Sequence, residues 1–100
     1  MKGATFTLTP RSQDDIDTAC AWYEKQQRGL GQRFLRHLQE AFRRIQREPD
    51  VYAVIQEDIR HTMVRVFPYV VFYTYRDHAI VVHAVLHGSQ DEAQWQGRFT

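Results

Sequence analysis

Hydrophobic and polar positions change period several times along the chain, and each change marks an element. Residues 4–8, ATFTL, alternate and predict a short strand. From Pro10 to about Gln27, the apolar residues Ile16, Ala19, Cys20 and Tyr23 fall three and four apart, the stripe of an amphipathic helix. Thr9-Pro10 suits the start of that helix, and Ser12 with Asp15 offers a competing capping box. Arg28-Gly29-Leu30-Gly31 reads as a tight connection. A second helix then carries Leu30, Phe34, Leu38, Ala41, Phe42 and Ile45 at helical spacing, and Pro49 stops it. So short a joint makes the two helices pack as an antiparallel hairpin.

Beyond a connecting stretch at residues 50–58, the period drops to two. Arg60 to Phe67 alternates as a strand, and Pro68 stands where the chain must reverse. Tyr69 to Tyr75 and Ile80 to Leu86 are dense in Val, Ile, Phe and Tyr and are split by the polar Arg76-Asp77-His78. They read as a hairpin of two strands. Their nearly continuous apolar content places them centrally in a sheet, with one face under the helices. The expected fold class is α+β in the order β-α-α-β-β-β, an antiparallel helical hairpin packed on a mainly antiparallel sheet. Phe34, Leu38, Phe42 and Ile45 should then meet Val71, Tyr73 and either Val82 or Ala84, according to which parity points inward.

One hundred residues suit a single domain, 1–100, around one core. Aromatic residues reach 13%, which suggests a well-filled core or an apolar surface covered by a partner. Cys20 is the lone cysteine, so no internal disulfide is expected and a reducing compartment fits. The segment MKGATFTLTP has no signal-type apolar core, and no run approaches ~18 apolar residues. The expectation is a soluble cytoplasmic protein that spans no membrane.

A net charge of +1 argues against a chain that grips phosphates over its whole surface. The positive charge is local. Lys25, Arg28, Arg33, Arg36, Arg43, Arg44 and Arg47 face only Glu24 and Glu40 in the same stretch. The plain reading is a solvated helix face with i, i+4 pairs, Arg36 with Glu40 and Arg44 with Glu48. The sharper one is an electrostatic footprint for nucleic acid or an acidic partner.

Few patterns of site chemistry survive inspection. Of His37, His61, His78, His83 and His87, only His83 and His87 stand four apart, and they lie on a strand with His87 at its end, not on a helix face; no cysteine pair helps, so no metal and no cofactor is expected. Gly29-x-Gly31 joins two helices instead of following a strand, which removes a phosphate loop. His87 ends a strand, and an imidazole there has the chemistry of an acid or base. Its commoner use is to hydrogen-bond the Gly88-Ser89 turn or Asp91. Arg60 follows Glu57-Asp58 and reads first as an ion pair ordering the connection. Trp22 suggests core packing, whereas Trp95 in a polar tail suits a partner anchor.

Phe67-Pro68-Tyr69 with Tyr73, followed by the turn Val85-Leu86-His87-Gly88-Ser89, resembles the RelE/ParE superfamily of bacterial type II toxins, and within it the ParE or plasmid-stabilisation branch. The resemblance covers nearly the whole chain and implies the same element order. It implies a toxin that inhibits DNA gyrase by stabilising the cleaved gyrase–DNA complex, without catalysis of its own. It also implies a cognate antitoxin, ParD-like with a ribbon-helix-helix, and nucleic acid met only through the target complex. The RNA-cleaving relatives imply a different set: a third-strand arginine, an arginine after the fourth strand and a C-terminal tyrosine. Those positions fall on Val70, Ser89 and Trp95 here. Valine holds no phosphate, and an indole donates no hydroxyl proton. Arg60, His61, Arg65 and His87 offer a divergent His-plus-Arg set, which keeps a ribosome-dependent mRNA endoribonuclease as the alternative. A degenerate, non-toxic antitoxin-binding homologue is the third reading. Arg60, Arg65, His87 and Trp95 are the expected target-contact residues, gathered at one end of the sheet.

Overall fold

The computed structural model describes residues 4–89 and 96–98. Strand β1 (Thr5–Leu8) leads into helices α1 (Pro10–Gln26) and α2 (Leu30–Arg47). Strands β2 (Val54–Gln56), β3 (Ile59–Met63), β4 (Tyr69–Arg76) and β5 (Ala79–His87) follow. The helical hairpin lies on a five-stranded sheet of order β1-β5-β4-β3-β2. Every neighbouring pair is antiparallel except β1 with β5. Strands β4 and β5 are central, as their apolar content required.

Of the two possible starts for α1, Thr9-Pro10 prevails. Thr9 Oγ1 accepts the Ser12 N–H at 3.1 Å and Pro10 occupies the first turn, where its missing N–H costs nothing. Ser12 turns inward, fully buried, and its hydroxyl donates to the Thr9 carbonyl at 2.8 Å. Asp15 is thereby released for another partner. At the joint between the helices, Gly29 takes a φ of +86°, the left-handed region that favours glycine. Glu24 closes the joint. Its carboxylate accepts the Gly29 and Gly31 N–H groups at 2.9 and 3.0 Å, capping α2 from the neighbouring helix.

The sheet departs from the alternating pattern in three places, each with a physical reason. Residues 54–56, expected within a connection, pair with β3 as an added edge strand. Strand β3 stops at Met63 instead of reaching Phe67. Val64 and Phe67 both turn into the core, which pushes Arg65 and Val66 outward, and Val66 takes a φ of +76°. The third departure is a bulge in β5. Tyr73 pairs with Val82 but Phe72 with Ala84, so His83 is the extra residue. Inward parity therefore passes from Val82 to Val85, and Ala84 faces away from the helices. The β4–β5 hairpin closes on Asp77 and His78, both at positive φ, the geometry of a two-residue type I′ turn.

The main core joins Ile16, Ala19 and Tyr23 of α1 with Phe34, Leu38, Ala41 and Ile45 of α2, over Val71, Tyr73, Ile80, Val82 and Val85. Phe42 sits at its margin, half-buried, with its ring 5.0 Å from that of Phe6. Ile59, Phe72, Ala84 and Leu86 form a smaller cluster on the opposite face of the sheet.

Candidate functional site

The end of the sheet where β4 begins and β5 stops carries the densest chemistry. Tyr69 pairs with His87 across the two strands, and Gly88 N–H donates to the Pro68 carbonyl at 2.7 Å. The turn after β5 thus lies against the turn before β4. His87 Nδ1 accepts the Ser89 N–H at 3.0 Å, and the Ser89 hydroxyl lies 2.7 Å from the same nitrogen. The expected turn-fixing hydrogen bond is therefore present at His87.

Between this end and α1 runs a groove of about 470 Å³, lined by Thr18, Ala19, Trp22, Tyr23, Pro68, Tyr69 and His87. Trp22, expected in the core, is 55% exposed beside it. It lies next to the inward Tyr23, one step off the stripe, and its indole packs edge-on against the Tyr23 ring. Burial raises the Tyr69 phenol above its ordinary value, with smaller contributions from Tyr23 and Asp15; burial alone does the same to Tyr23. Both phenols stay protonated across the physiological range and act as neutral groups. A second, smaller cavity opens on the other face of the sheet, lined by Ile55, His61, Val70, Phe72, Leu86, His87 and Gly88. Val70 makes that face apolar where the RNA-cleaving pattern wants an arginine.

Among the described residues, Arg60 stands apart from the end of the sheet where His87 lies. Arg60 lies opposite Tyr73 and His87 opposite Tyr69, four residues along and two strands apart, roughly 16 Å. The Arg60 guanidinium does not pair with Glu57 or Asp58. One Nη donates to the carbonyls of Asp50 and Tyr52 at 3.0 and 2.7 Å, which staples the connection after α2 to the sheet. Asp58 instead pairs with Arg76 at 2.7 Å. Arg65 is exposed on the β3–β4 connection and turns toward α2, with its Nη1 3.7 Å from Glu40. Trp95 lies outside the described residues.

Sequence reasoning missed Asp15. Its carboxylate accepts the Val85 N–H at 3.0 Å and receives both terminal nitrogens of Arg98 at 3.1 and 2.9 Å. Arg98 also donates to the His83 carbonyl. Strand β1 ends opposite Val82, so the edge of β5 beyond the bulge lacks a strand partner there, and this ion pair supplies the hydrogen bonds instead. A signal existed: Asp15 falls three after Ser12 and four before Ala19, a charge inside the inward stripe.

The comparisons with known proteins fit this architecture. The family model of the ParE toxin of type II toxin–antitoxin systems, parDE, matches residues 6–92, and the chain belongs to that family. A solved chain from the chromosomal ParDE TA system of P. aeruginosa is similar in fold, with a TM-score of 0.75 over 84% of this chain and 95% of that one, at 11% identity. No curated protein matches. The protein is a ParE-type toxin of a type II toxin–antitoxin system.

Proposed function

We propose that this toxin inhibits DNA gyrase by stabilising the cleaved gyrase–DNA complex, acting as a binding poison and not as an enzyme. Family membership over residues 6–92 carries the reading. The open sheet face agrees with it, because Val70, Phe72 and Leu86 line a cavity there without an arginine. In this reading Arg65 and His87 meet the target, together with Trp95. Arg60, with its guanidinium occupied, contributes by holding the 50–52 connection in place.

A cognate ParD-like antitoxin neutralises the toxin in this proposal. The groove beside the half-exposed Trp22 is an apolar seat for a segment that folds on binding. His87 lines the same groove, so an antitoxin seated there hides part of the proposed target surface. The test adds purified toxin to a supercoiling reaction and to a translation extract. Accumulation of cleaved DNA with intact mRNA supports the reading. Site-specific mRNA cleavage with no gyrase effect sinks it. That second outcome would return attention to His61 and His87, which share the open-face cavity.

A further inference from the structure

The outer face of α2 holds an arrangement that neither the core nor the groove uses. Arg33, Arg36, Arg43 and Arg47 are all exposed. At 100° per residue they fall within about 80° of arc, on the side away from Phe34, Leu38, Ala41 and Ile45. From first to last the stripe runs about 21 Å along the helix. Among the described residues, none of the four has an ion pair or a side-chain hydrogen bond. The i, i+4 pairing expected for this face does not form as anticipated. Glu40 bonds Arg44 at 3.1 Å instead of Arg36.

Glu40 is the single acidic residue on that arc, and it is neutralised twice, by Arg44 and by Arg65 at 3.7 Å. Arg65 thereby borders the stripe and extends it onto the β3–β4 connection. Gln32, Gln39 and Gln46 recur every seven residues beside the arginines, each exposed. Helix α2 contains five arginines and no lysine, so each cation is a planar fork suited to two phosphate oxygens.

We propose that this face is a docking surface for the sugar–phosphate backbone of duplex DNA. The proposal rests on the gyrase–DNA reading and gives the DNA of that complex a direct seat on the toxin. Other occupants fit less well. An arginine anchors a protein partner when it is set in a well-packed, desolvated patch, and the arc offers only exposed Arg and Gln with Glu40, with no apolar or aromatic neighbour among them. A bilayer surface needs the apolar side of an amphipathic helix, and here that side is in the core. Single-stranded nucleic acid needs exposed rings for stacking, and the arc has none. A duplex needs only evenly placed cations and hydrogen-bond donors. At ~3.4 Å of axis per charge on each strand, the stripe spans about six phosphates of one strand.

The test measures binding of the full chain to a labelled 20-base-pair DNA by anisotropy across a salt series, without gyrase. Four phosphate contacts predict affinity falling about 50-fold between 50 and 150 mM NaCl. Arg33→Gln with Arg36→Gln should reduce that fall to about 7-fold. The quadruple variant with Arg43→Gln and Arg47→Gln should bind too weakly to measure while keeping its circular dichroism and melting temperature. Affinity that ignores salt, or survives the quadruple substitution, overturns the proposal. So does preference for duplex RNA of equal length, or equal competition by polyglutamate. Because gyrase is absent, a negative gyrase assay leaves this binding result standing, and the converse holds too.

Discussion

Glu24 and Gly31 show how much of the helical hairpin depends on single atoms. A β-carbon at Gly31 would lie 2.8 Å from the Cys20 carbonyl oxygen and 3.1 Å from both Cys20 Sγ and Glu24 Oε1. The backbone oxygen cannot swing aside, so Gly31→Ala must separate the helices. The expected loss is ~1–3 kcal/mol, read from urea denaturation. Glu24→Ala at the same joint takes away the acceptor of the Gly29 and Gly31 N–H groups and should cost ~1 kcal/mol, typical of a lost cap. His83 makes a different prediction at this scale. Burial lowers its pKa first, Arg76 lowers it further and Asp58 partly opposes both. Its folded pKa lies below the ordinary 6.5, so the unfolded chain takes up the proton first as pH falls. The stability it contributes is present above pH 6.5 and is lost as pH drops through the folded value. His83→Gln should flatten a plot of melting temperature against pH below neutrality; an unchanged slope would assign it to other groups.

At the scale of elements, the Asp15–Arg98 pair completes the sheet where β1 runs out. Both side chains are largely buried, at 17% and 11% exposure, and the backbone of β5 depends on them. Asp15→Ala strands the Val85 N–H and a guanidinium together. Breaking such a pair from one side should cost roughly 3 kcal/mol, and hydrogen exchange at the Val85 amide should speed more than at Val71. The hydrophobic pattern showed only a charge at Asp15 inside the inward stripe; the partner of that charge and the bulge it serves were not legible, because the pattern reports parity and not irregularity. The two helices, their joint and the central strands follow from spacing, Gly29 and Pro49. The bulge at His83, the outward turn at Arg65-Val66 and the edge strand at Val54–Gln56 do not. Each depends on tertiary contacts: Asp15 bonding beyond the bulge, Val64 and Phe67 both finding the core, and a vacant edge on β3. The site suffered for the same reason. Residues close in sequence around Arg60 and Arg65 point to opposite duties, one toward backbone carbonyls and the other toward α2.

For the whole molecule, the division of surfaces matters more than the near-neutral total. Helix α2 carries five arginines against Glu40, an excess of four positive charges, while the chain nets only +1. The remainder is therefore acidic by three. One side offers cations and Arg65; the α1 side offers the apolar groove with Trp22 and His87. The proposed antitoxin and target surfaces overlap at His87, so substitutions away from that overlap, at Trp22 and at Arg65, should separate the two functions. Trp22→Ala removes exposed apolar area without opening the core, so it should weaken antitoxin capture tenfold or more, as a lost hot spot does, and leave gyrase poisoning intact. Arg65→Ala should do the reverse, reducing the yield of cleaved DNA while antitoxin affinity stays within about twofold, since a rim charge contributes little to a distant apolar seat. Both affinities are measurable by calorimetry against a peptide of the antitoxin's C-terminal segment, beside the cleavage assay. If each substitution damages both functions equally, the two surfaces are one, and occlusion of a shared face replaces the division argued from Arg65 and Trp22.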